Sequence, residues 1–158
     1  MTWQLKLLVL APLMVVFFAL SFFVFPPDGE EVGRLAFTGP GTTSSTLLLN
    51  AGEVSFWTDV DIRYEGASPL AYHVDLSQGG SQVATASCDP LASKSVELSW
   101  LKTFDGVTHL ERGRGKMGCT ATLPASGPTT IAATLLLDSH GSPVTLKKAD
   151  LAIRQVAP

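Results

Sequence analysis

Nineteen consecutive residues, Leu7–Phe25, carry no charge, and this run divides the chain before any other pattern is considered. As a helix rising about 1.5 Å per residue it is about 28 Å long, close to the ~30 Å hydrocarbon core of a bilayer. Trp3 then sits at headgroup depth, Lys6 snorkels to the interface, and Pro12 falls near the first turns, where a missing N–H costs least. The competing reading is a cleavable signal peptide, for which Ala19 and Ser21 supply the small residues. Phe22, Phe23, Val24 and Phe25 continue the apolar run past that point, so the expectation is an uncleaved N-terminal transmembrane helix over 1–27. Lys6 precedes the run and Asp28, Glu30 and Glu31 follow it. The positive-inside bias therefore places the N-terminus in the cytoplasm and the C-terminal domain in the periplasm or outside the cell.

Cysteine usage agrees with an oxidising compartment. The two cysteines, Cys88 and Cys119, both follow the apolar run. An even pair there is expected to bond. Closing a loop of about 32 residues is worth about 3.5 kcal/mol in the chain-entropy description. No paired Cys-x-x-Cys or His/Cys cluster points to zinc or redox chemistry, and no cofactor is expected.

Beyond Pro27 the dominant period is two. In Glu53–Glu65, Val54, Phe56, Val60, Ile62 and Tyr64 share one face, with Ser55, Trp57, Asp59, Asp61 and Arg63 on the other, as in a half-buried strand. Leu70, Tyr72, Val74 and Leu76 alternate with Ala71, His73, Asp75 and Ser77 in a second strand, and Gln78–Ser81 is turn chemistry. Lys94–Leu101, Val107–Arg112, Lys116–Leu123, Ile131–Leu137, Val144–Leu146 and Leu151–Val156 supply further short strand candidates. Eight or nine strands with turns every eight to twelve residues, and no amphipathic helix, predict an all-β fold: a β-sandwich of jelly-roll or immunoglobulin-like topology. The expected organisation is an anchor over 1–27, a linker and first strand over 28–45 that includes a loose stretch at Thr38–Ser45, and the sandwich over 46–158.

Three groups of side chains are candidate sites. Asp59, Asp61, His73 and Asp75 crowd one face if their two strands pair as a hairpin, and a hard cation such as Ca²⁺ would offset that repulsion. Arg112, Arg114 and Lys116 alternate with glycines and project to one side of an extended chain, suited to an acidic partner, an anionic headgroup or a charged glycan. Trp57 on the outward face is a candidate to stack on a sugar or anchor an interface.

Catalysis finds no foothold, because the chain has no GxSxG elbow, HExxH pair or phosphate-binding glycine loop. Lys6 is the only charged residue before Asp28, so ten Lys and Arg face fourteen Asp and Glu beyond it, a net of −4. That balance excludes the concentrated basic face of a nucleic-acid binder. Abundant Ala, Gly, Leu, Thr and Val with scarce Asn and Ile point to a GC-rich bacterial genome. The sequence therefore reads as a non-enzymatic, membrane-anchored module that binds a protein partner, such as an accessory subunit of a bacterial envelope complex. A carbohydrate- or cation-binding module is the alternative.

Overall fold

The computed structural model describes residues 29–92 and 95–156, with the backbone alone over 95–101. The expected anchor over Leu7–Phe25 lies outside the described residues. Nine strands follow one another: β1 (Glu30–Phe37), β2 (Gly41–Leu49), β3 (Gly52–Glu65), β4 (Leu70–Gln78), β5 (Ser81–Cys88), β6 (Ser95–Phe104), β7 (Thr108–Leu123), β8 (Gly127–Leu137) and β9 (Val144–Gln155). They form two antiparallel sheets, a larger one ordered β1-β9-β3-β7-β6 and a smaller one ordered β2-β8-β4-β5.

The alternation seen in the sequence orients both sheets. Val54, Phe56, Val60, Ile62 and Tyr64 of β3 are buried, with Leu151 and Ile153 of β9 beside them. Leu70, Tyr72, Val74 and Leu76 of β4 are buried with Ile131, Ala133 and Leu135 of β8. Both sets belong to one apolar cluster, so the sheets face each other in a sandwich-like arrangement. Burying each large apolar side chain stabilises the fold by about 1.5–3 kcal/mol, which is what holds two otherwise independent sheets together. Phe37 of β1 and Tyr72 of β4 meet across the gap, ring centroids 5.6 Å apart. The Cys88–Cys119 disulfide bridges β5 of the smaller sheet to β7 of the larger one, with Cα atoms 5.5 Å apart.

Local chemistry sets the turns. Gly79 and Gly80, with φ of 57° and 83°, form the two-residue loop between β4 and β5, where right-handed strand twist favours two positive φ values. In the β6–β7 hairpin, Asp105 Oδ1 accepts the backbone N–H groups of Thr108 at 2.6 Å and Val107 at 3.2 Å. These bonds hold the Asp105 carboxyl below its ordinary range.

Three sequence expectations change. The loose stretch Thr38–Ser45 is strand from Gly41 onward, because threonines suit a pleated surface and form hydroxyl pairs with β8: Thr42 with Thr134 at 2.8 Å and, just past the stretch, Thr46 with Thr130 at 3.0 Å. Val107–Arg112 and Lys116–Leu123 are parts of one strand, β7, which runs through Gly113 and Gly115. Val144–Leu146 and Leu151–Val156 likewise merge in β9.

Candidate functional site

The outer face of the larger sheet gathers most of the charge. Asp59 and Asp150 stand directly opposite each other on β3 and β9, a repulsive pairing unless cations intervene. Lys148 lies 2.6 Å from Asp59 and 3.5 Å from Asp150, and Arg34 of β1 lies 3.6 Å and 3.2 Å from the same two carboxylates. Arg34 also clasps Glu31 through two bonds of 2.8 and 2.9 Å, and Arg114 approaches Glu31 at 3.6 Å. Arg112 grips Asp61 with bonds of 2.9 and 2.8 Å from Nε and Nη2. The Asp59 hydrogen bond raises the Lys148 ammonium pKa, and the Glu31 hydrogen bond raises that of Arg34, in each case against the opposing effect of burial.

These contacts account for Asp59, Asp61, Arg112 and Arg114 without a metal. The proposed cation set Asp59, Asp61, His73 and Asp75 is not brought together. β3 pairs with β7 and β9, whereas β4 pairs with β5 and β8, so the hairpin that would have joined them does not form. His73 and Asp75 sit 3.5 Å apart on the outer face of the smaller sheet, where Asp75 accepts a hydrogen bond from Gln82. No group of three or more His, Cys, Asp or Glu suited to a metal occurs among the described residues.

Trp57 also departs from expectation. It is on the outward phase of β3 but only 3 % exposed, with the Arg154 guanidinium 4.3 Å from its ring centroid. The small Ala152, opposite Trp57 in register, leaves room for the ring. An aromatic ring capped by a guanidinium is a packing element, not an open stacking platform. Lys116, opposite Trp57 on β7, is half-buried, so the Arg112, Arg114 and Lys116 row is woven into the sheet surface.

Beside this network lies an open groove of about 500 Å³ crossing β9, β3, β7 and β6 near the β6–β7 hairpin. Asp61, Arg63, Arg112 and Lys147 supply its charges, together with Asp105 from the turn. Thr103, Thr108 and Thr145 supply hydroxyls, and Leu110 an apolar surface. Lys147 is present because β9 bulges there: Asp61 faces Lys148 and Ile62 faces Leu146, leaving Lys147 as the extra residue. Such a bulge re-aims a side chain, and here it seats two consecutive lysines on the outer face.

Sequence reasoning missed Glu111. It lies on the inner face of β7, 0 % exposed, accepting a 2.8 Å hydrogen bond from the Tyr64 hydroxyl with Lys102 Nζ at 3.4 Å. His109 stacks on Tyr64 at 4.8 Å and meets Phe104 at 4.7 Å. Burial, and then the Glu111 carboxylate, push the Tyr64 phenol pKa upward. Carrying the inward phase of Met117 back along β7 lands on Glu111, which is the signal that could have found it.

The chain matches no known protein family and none of the curated proteins.

Proposed function

We propose that this chain is a membrane-tethered, non-enzymatic module that binds a protein partner on the non-cytoplasmic side, as an accessory subunit of a bacterial envelope complex. The observation that supports it most is the edge of the smaller sheet. β2 pairs with β8 in unbroken register over Gly41–Leu49 and has no ladder partner on its other side among the described residues. Its sequence, GTTSSTLLL, contains no charge and no proline, and Leu48 near its end is 80 % exposed. Edge strands of monomers are ordinarily blunted by charge, proline or bulges. The opposite condition suits an extended segment of another protein that adds as a further strand.

The strand orders favour one finer topology. With β6 as an added edge strand, β1-β9-β3-β7 facing β2-β8-β4-β5 supports a jelly roll. An immunoglobulin-like path would keep its first two strands in one sheet. The glycan-binding alternative has less support, because Trp57 is capped by Arg154.

A photo-crosslinking residue at Ser44 in cells tests the reading. One discrete adduct with a single partner protein is expected, and Ser44→Lys should abolish co-purification of that partner in gentle detergent. No adduct from any exposed β2 position would count against strand addition. The tether is tested separately: the mature chain should retain Trp3 and Lys6 and resist alkaline carbonate extraction, whereas an N-terminus at Phe22 would remove it.

A further inference from the structure

We infer that the groove beside the β6–β7 hairpin binds an extended acidic segment of the protein partner, with carboxylates held by Arg63 and Lys147. This rests on the protein-partner reading and adds a second contact, on the sheet opposite the β2 edge. Charge complementarity carries it. Of the three cations among the described lining residues, Arg112 is committed to Asp61 at 2.8 Å. Of the two acids among the described lining residues, Asp61 is taken by Arg112, and Asp105 stays ionised at the hairpin end with Oδ1 accepting the N–H groups of Thr108 and Val107, so three cations against two acids leave the groove a net charge of +1.

Arg63 and Lys147 remain. Both are exposed, and neither makes a hydrogen bond or ion pair among the described residues; Arg63 acts on Asp105 only through space. Glu65, opposite Thr108 in register, does not line the groove. A guanidinium offers a planar fork that matches a carboxylate, and an ammonium nearby adds a point charge. The hydroxyls of Thr103, Thr108 and Thr145 can exchange hydrogen bonds with a passing backbone, over Leu110 as an apolar floor.

The shape selects the ligand class. Small-molecule sites enclose most of their ligand, whereas this groove is partly open and spans four strands, the reach of an extended chain. Among the described residues its lining has no aromatic ring, the group on which a sugar would stack. An extended peptide alternating acidic and small polar residues fits the charge, the hydroxyls and the openness together.

The test uses the full chain in non-ionic detergent and a short fluorescein-labelled peptide alternating glutamate and serine. Anisotropy should show saturable binding that weakens with added salt, and the glutamine version of the peptide should not bind. Arg63→Ala with Lys147→Ala should weaken binding about tenfold or more, the size expected on losing charged hydrogen bonds. Both residues are exposed, so the variant should keep its melting temperature, while its Ser44 adduct should form less readily because the same partner has lost its second contact. Equal binding of the two peptides, or unaltered affinity in the variant, overturns the proposal. So does displacement by inorganic phosphate at the peptide's own concentration, or preferential binding of a uronate oligosaccharide. Peptide binding without any adduct at β2 would remove strand addition and leave the groove; an adduct without peptide binding would do the reverse.

Discussion

On the outer face of the larger sheet, Glu31, Asp59, Asp61 and Asp150 interlock with Arg34, Arg112, Arg114 and Lys148, and bulges interrupt the strands at Val32 and Lys147. The outer face of the smaller sheet carries paired threonine hydroxyls and one His73–Asp75 contact, over a β2–β8 register without a bulge. The carboxylates of this network are part-buried, with Asp150 only 8 % exposed, so its pairs are not the fully solvated kind that add little stability. Charge and one bulge blunt the β1 edge, whereas the β2 edge of the smaller sheet has neither.

Cutting the link between the sheets should produce the largest effect. Cys119→Ser removes the disulfide from β5 to β7 and should lower stability by about 3.5 kcal/mol in the chain-entropy description, read by denaturant melts with and without reductant. Joined cysteines should appear in a non-reduced peptide map.

Arg34→Ala sharpens the contrast between faces. It leaves Asp59 facing Asp150 with Lys148 alone between them, and should cost about 1 kcal/mol in the same melts, with less effect at high salt.

Alkaline pH should act in one direction. Burial pushes the Tyr64 and Tyr72 phenol pKa values up from 10.0, and hydrogen bonds to carboxylates raise Lys148 from 10.5. The folded chain then holds protons that the unfolded chain releases, so this stabilisation is complete below about pH 10 and lost as pH rises beyond it. Melting temperature should be insensitive to these groups at neutral pH and fall above pH 10. Tyr64→Phe should make that fall shallower.

Asp75→Asn should be the smallest change, within about 0.5 kcal/mol, because Asp75 lies at the surface with His73 and Gln82 as its polar side-chain partners among the described residues. Calcium should leave the melting temperature unchanged in wild type and variant alike. A saturable, EDTA-reversible rise lost in Asp75→Asn would reinstate a cation at that face.

How much was legible in the sequence follows from the range of each signal. Alternation is local, so β3, β4 and β8 and their inward faces could be read directly. β2 was hidden because GTTSS is polar enough to resemble a loop, although threonine favours a pleated edge. Strand adjacency is non-local: the turn after Glu65 carries the chain from one sheet to the other, which separates Asp59 and Asp61 from His73 and Asp75. The groove needed three facts that no window contains: the β3–β7 and β3–β9 neighbours, the bulge at Lys147 and the commitment of Arg112 to Asp61. The disulfide was legible from an even count and the inferred compartment.

Hydrogen–deuterium exchange of the purified complex against the isolated chain tests the central claim directly. If the partner adds a strand at the open edge, the amides of β2, Gly41–Leu49, should slow their exchange on complex formation while those of β8 remain as protected as before. Unchanged exchange across β2 in a complex that remains intact would contradict it.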